Sequence, residues 1–369
     1  MSNKDAIELW SQMFSKMAAD EYATIVDADY DSKVDDDRMR LGLAQAGWSE
    51  REINQRLESQ KAILANSPVT SSGVAPHVEV IFSKLCDDIE AAMSRLKMDS
   101  YARIARGIEP RTGPHAALTN VILTDQSIVS VGSFLFRFCG LVARAFTRTL
   151  HLNPWLWEDA GYSETDARRL LRDVPELLVY WLKIFVSFAV TGTQIMTVYK
   201  PANKNELILF EQVARAMEIF AIAHEYGHHH YGHGRQLDLD SKSEEFSADQ
   251  FALLISYEVE RKPFLFSNPY LSSGAGGLVL LLSLEILKKF TQAIIGVPLM
   301  PSGTHPKISE RLDRFNSVAV LKPDEFLALK GFRTTSHRLM TSVDSELSNL
   351  LTKLTPDLIN QLRTLARPY

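Results

Sequence analysis

Phe220-Ala221-Ile222-Ala223-His224-Glu225-Tyr226-Gly227-His228 is the stretch around which the rest of this chain is read. From Glu206 to about His229 the pattern is helical, with no proline or glycine before Gly227. In such a helix His224 and His228 project from one face, about one turn apart. Two neutral imidazole nitrogens at that spacing reach one zinc ion at about 2.0–2.1 Å each. Glu225 stands beside the first of them. It can lean over the open side of the metal and take a proton from a water that the metal has acidified. This is the H-E-x-x-H arrangement. Met217, Phe220, Ala221 and Ile222 supply the apolar flank of a helix sunk in a core. The rival reading is a histidine-rich helix end, because His229, His230 and His233 follow directly.

A catalytic zinc takes a third protein ligand and keeps a position for water. A third histidine at the metzincin offset would fall on Gly234, and the glycine of that pattern on Tyr231, so that pattern is excluded. The segment Glu244-Glu245-Phe246-Ser247-Ala248-Asp249-Gln250-Phe251-Ala252 is the better source. As a helix it sets Glu245 and Asp249 on one face, with Ala248 and Ala252 small enough for close packing on the first helix. Glu245 is expected to bind zinc. Asp249 is expected to accept a hydrogen bond from a ligand imidazole and fix its tautomer. Glu244 and His233 are the alternative ligands, and a solvated acidic helix end is the plain alternative for the whole segment.

His224-Glu225-Tyr226-Gly227-His228 followed by Glu245-Phe246-Ser247-Ala248-Asp249 resembles the gluzincin metallopeptidases, above all the M48 type with its H-E-x-G-H and E-x-x-A-D blocks. Thr304-His305-Pro306, with Arg311-Leu312 behind it, is similar to the T-H-P segment and trailing arginine of that family. The likeness covers roughly residues 206–315. It implies an α+β, mainly α fold: a gluzincin-like core with a small sheet and an active-site helix, flanked by helical N- and C-terminal segments. It implies a zinc-dependent endopeptidase with Zn2+ on His224, His228 and Glu245, and Glu225 as general base. It further implies His305 as a stabiliser of the oxyanion, and Arg311 either pairing with Asp249 or lining the site. In gluzincin folds an edge strand beside the active helix receives the substrate backbone, and residues 118–124 are the candidate for it. The site is also similar to those of small cytoplasmic regulatory peptidases of the ImmA type and of the phage-exclusion peptidases, which cut an intracellular protein; that kinship is an analogy of motif only. Many M48 members carry membrane spans, and here the chain departs from them. A different class remains open: a regulatory or metal-binding interaction module on an inactive peptidase fold.

Bulk properties are those of an ordinary globular protein and argue against overall disorder. The chain has 369 residues, 46% hydrophobic and 23% charged, enough for a large core. A net charge of -5 gives no case for nucleic acid as a partner. The expected partners are a protein or peptide substrate and a possible regulatory protein. Cys86 and Cys139 are far apart in apolar company and are expected to be buried thiols of a reducing compartment. Acids near the N-terminus argue against a signal peptide. The apolar stretches 177–190 and 277–287 are interrupted by Lys183 and Glu285. Both fall short of the roughly 18 apolar residues of a membrane span, so they read as core helices, with no membrane association and a cytoplasmic location expected.

Along the chain, three regions are expected: a helical N-terminal region over 1–70, a zinc metallopeptidase domain over 76–320, and a C-terminal helical segment over 321–369. Ser49-Glu50-Arg51-Glu52 is a capping box that starts a helix towards Leu64. The acidic stretch 27–38 has Ser32 and Arg38 where a calcium loop needs glycine and glutamate, so it reads as a solvated loop. Residues 66–76 read as a linker and 78–96 as a helix. The β-branched run 118–124 reads as a strand, and 128–138 is ambiguous between strand and helix. Helices are expected to start at Ser163, near Pro175, at Ser342 and at Thr355-Pro356.

Overall fold

Apolar spacing near 3.6 residues dominates this chain, and helices dominate its structure. The computed structural model describes residues 4–19, 32–45, 47–65, 76–109, 112–151, 164–193, 203–235, 241–261, 267–296, 306–317 and 323–365. Helices α1 (Lys4–Ala19), α2 (Ser32–Gln45), α3 (Glu50–Ala65) and α4 (Pro76–Arg95) lead into strands β1 (Ile104–Glu109), β2 (Ala116–Asn120) and β3 (Ser127–Gly132). Then come α5 (Phe134–His151), α6 (Glu164–Asp173), α7 (Pro175–Thr191), α8 (Lys204–Tyr231) and α9 (Ser241–Glu260). A single turn, α10 (Pro269–Ser272), precedes α11 (Ala275–Ile295), α12 (Ile308–Ser317), α13 (Pro323–Leu351) and α14 (Pro356–Leu365). The class is α+β, mainly α, with a small mixed sheet.

The sheet has the order β1-β3-β2, with β1 parallel and β2 antiparallel to the central β3. Side chains alternate between its faces. Ile104, Ile108, Val129 and Val131 enter the main core, whereas Ala105 and Ile128 pack with Ala6, Leu9, Trp10 and Met13 of α1. β1 has no counterpart among the sequence expectations, because Arg106, Gly107 and Glu109 spoil its apolar pattern. The fold satisfies these polar groups locally. Arg106 bonds Glu90 and Asp87 of α4, and Glu109 accepts from Ser130 at 2.6 Å. The strand expected over 118–124 ends at Asn120 instead. Its β-branched tail forms the β2–β3 turn, closed by Val121 N to Gln126 O at 3.0 Å and by Leu123 at φ 64°. Residues 128–138 divide between the end of β3 and the start of α5.

Helices α7 and α11 are core helices. Trp181, Phe185 and Phe188 of α7 and Phe290 of α11 are almost fully buried, and among the described residues no helix is long and apolar enough to cross a membrane. The capping box at Ser49 forms: Ser49 N and Oγ both donate to Glu52, at 3.0 and 2.9 Å. Within the acidic stretch, residues 32–38 open α2 rather than a loop, and Asp36 meets Lys61 of α3 at 3.0 Å. Residues 27–31 and 66–75 lie outside the described residues. No helix starts at Ser342, which lies inside α13 and donates back to Arg338 O at 2.9 Å, leaving the helix unbroken. Cys86 and Cys139 are free and buried.

Candidate metal centre

Helix α8 is held at both ends and on its far side. The Asn203 side chain accepts from Glu206 N at 2.9 Å, and Gly232 ends the helix in the left-handed region. Tyr226, between the two motif histidines, turns away from them and donates to Glu90 at 2.7 Å. The histidines that follow are anchors. His229 meets Ser127 Oγ at 2.8 Å and Ser100 O at 3.0 Å, and His230 meets Ser100 Oγ at 3.1 Å. Arg235 grips the carbonyls of Thr124 and Gln126. The helix end is thereby bolted to the β2–β3 turn, which explains a run that sequence alone could read as mere composition.

Helix α9 approaches α8 closely because of one glycine. A Cβ on Gly227 would meet Ala248 Cα and Phe251 Cβ at 3.0 Å. That approach brings Glu245 over the two histidines. His224 Nε2 and His228 Nε2 are 3.0 Å apart, and each lies 3.5 Å from a Glu245 oxygen. Ligand atoms about 2.0–2.1 Å from a tetrahedral zinc would stand about 3.3–3.4 Å from one another, so the donor set fits a single ion. Among the described residues this is the only His/Cys/Asp/Glu group close enough to hold a metal.

Behind His224 stands an anion. Its Nδ1 lies 3.0 Å from Asp249 Oδ1, an ion-pair contact rather than the hydrogen bond expected from sequence. Arg311 of α12 grips Asp249 with two bonds, Nε to Oδ2 at 2.7 Å and Nη2 to Oδ1 at 2.6 Å. Arg311 thus pairs with Asp249 and also lines the site, its Nη1 standing 3.8 Å from Glu245 Oε2. α12 is placed for this by Arg314 over the Phe246 ring at 4.3 Å and by Lys242–Glu310 at 3.3 Å. Burial pushes the Asp249 carboxyl up, but Arg311 and His224 outweigh it and hold it below its usual range. Burial pushes His224 down, yet Asp249 and Glu245 outweigh it and raise the imidazole to about 10. These surroundings favour positive charge where the three ligand atoms converge.

Behind His228 stands a neutral group. His228 Nδ1 is 2.9 Å from His233 Nδ1, and His233 Nε2 is 3.1 Å from Ser247 Oγ. Burial pushes His233 down to about 4, with the neighbouring His228 next in effect. His233 therefore sits on the nitrogen of His228 that faces away from the ligand cluster, and neither alternative ligand joins that cluster. Glu244 turns aside as well, accepting from Gly234 N at 3.0 Å. The sequence signal for His233 was its place just past the helix-ending Gly232, where the chain reverses. His305 lies outside the described residues. Glu225 is partly exposed on the next face of α8, near enough for its charge to act on Arg311.

Neither a family model nor a curated protein nor a solved structure matches this chain. What the site can do follows from its own geometry. One further element bears on it: β2 is an edge strand of the sheet, and its last residue, Asn120, donates to His233 O at 3.0 Å, so this edge runs beside the end of α8.

Proposed function

We propose that this chain is a zinc-dependent endopeptidase that hydrolyses peptide bonds of an intracellular protein, with residues 76–320 carrying the activity. The observation that carries the reading is the triangle of His224 Nε2, His228 Nε2 and Glu245 at 3.0–3.5 Å, the span of three ligands on one tetrahedral ion. Zinc held there would supply Lewis acidity, which acidifies water and polarises a substrate carbonyl. Glu225, on the same helix beside His224, takes the water's proton and delivers it to the leaving nitrogen. Asp249 keeps His224 in the tautomer that turns Nε2 to the metal. β2, an edge strand among the described residues, is suited to take the substrate backbone as an added strand. In this reading His305 stabilises the oxyanion, and the resemblance to gluzincins is one of kinship.

The test is the zinc content of the purified chain beside its Glu225→Gln and Glu245→Ala variants, together with hydrolysis of an unfolded protein substrate. About one zinc per chain is expected in the wild type and in Glu225→Gln, with strong loss in Glu245→Ala. Hydrolysis by Glu225→Gln should fall by about 10²–10⁴-fold. A wild type that takes up no zinc even when supplied with it would overturn the reading and leave a binding module in its place.

A further inference from the structure

Resting on the zinc reading, we propose that His233 is a positioning residue for His228, fixing its tautomer through a neutral hydrogen-bond relay that ends on the backbone of α9. The direction of the relay follows from proton counting. His228 turns Nε2 towards His224 and Glu245, so as a neutral ligand it carries its proton on Nδ1. Nδ1 stands 2.9 Å from His233 Nδ1. Two N–H groups cannot bond each other, so His233 Nδ1 accepts and its own proton sits on Nε2. That nitrogen is 3.1 Å from Ser247 Oγ, which accepts. The Ser247 hydroxyl then donates to Ser243 O at 2.9 Å or Glu244 O at 3.0 Å. Every donor in the chain finds an acceptor, and the relay runs in one sense. His233 is 5% exposed, so water is a poor substitute for it.

The relay also gives α9 a further task. Glu245 turns to the two histidines, Asp249 backs His224, and Ser247, between them, backs His228 through His233. No proton has to move along the relay; its work is to hold one ring in one tautomer and orientation.

The experiment is zinc affinity by chelator competition on the full chain, with His233→Ala, His233→Asn and Ser247→Ala beside the wild type. His233→Ala should weaken zinc about 10–100-fold, the usual effect of removing a ligand's hydrogen-bond partner. His233→Asn, whose side-chain oxygen falls near the former Nδ1, should recover most of that loss. Nitrogen NMR of the zinc-loaded wild type should show His228 protonated on Nδ1 and His233 on Nε2. Wild-type affinity in His233→Ala, equal losses in the Ala and Asn variants, or a proton on His233 Nδ1 would each overturn the proposal while leaving the zinc reading intact. A wild type that binds no zinc would overturn both. Should His233→Ala fail to fold, Ser247→Ala decides: a loss of a few-fold is expected, and unchanged affinity would overturn the relay.

Discussion

His224 and His228 stand one turn apart on the same helix, and the protein backs them in opposite ways. Behind His224 is a buried ion pair, Asp249 with Arg311; behind His228 is a neutral chain, His233 with Ser247. The difference shows what each solution demands of the fold. A buried carboxylate is costly unless it is paired, so the charged side needs a cation, and α12 brings one from 62 residues away. A neutral relay needs no counter-ion, only a residue at the right bend, and the left-handed Gly232 supplies that bend. Arg311 offsets the charge of Asp249 and stands 3.8 Å from Glu245, the carboxylate that faces the two histidines.

Asp249→Ala attacks the charged side and should have the largest effect. It leaves Arg311 buried without its partner, for a loss of about 3–5 kcal/mol in urea unfolding. It also removes the backing of His224, so zinc affinity should fall by about 10–100-fold. Arg311→Met should cost stability in the same range but spare most of the zinc affinity, because Asp249 still backs the ring. If the two variants lost zinc equally, the pair would act as a unit and the comparison would fail.

Gly227→Ala presses on both sides at once. Its new methyl group meets the α9 backbone at Ala248, so α9 must shift, and the loss should be about 1–3 kcal/mol with weaker zinc binding. Full wild-type stability would show that the close approach of the two helices is not what seats Glu245.

A third carboxylate sharpens the contrast through pH. Glu218 lies on α8 near Arg215, but that guanidinium is engaged by Asp88 at 2.6 Å, and burial pushes the Glu218 carboxyl up to about 8. Its folded value lies above the ordinary 4.5. The protonated form is thus favoured by folding, and the associated stability is present below about pH 4.5 and lost as pH rises through about 8. Glu218→Gln should flatten that part of the stability profile, measured by urea unfolding from pH 4.5 to 9. An unchanged slope would mean that Glu218, like Asp249, is held ionised by a cation.

Local pattern was the legible part of the site. The ligand types, their order on two helices and the Asp249 position follow from i, i+4 spacing, and the capping box at Ser49 and the start of α14 follow from side chains within one turn. What escaped was non-local. β1 was hidden because Arg106 and Glu109 find partners on α4 and β3, which no window of sequence contains. The run 121–124 looks like strand, yet its pairing partner β3 starts too late to extend the ladder past Asn120. Sequence offers His233 only as a ligand, because nothing local tells which ring nitrogen will meet it.

A mainly helical chain, a two-histidine face with a glutamate beside it, and a second helix able to add a carboxylate are all legible in residue order alone. These depend on spacing along one helix, which the backbone geometry dictates without help from distant residues. Packing in three dimensions places Glu245 rather than Glu244 at the cluster, sets Arg311 on Asp249, and seats His228 against His233. Those outcomes depend on how closely α9 lies against α8 and where α12 crosses α9, and packing between segments remote in sequence sets both.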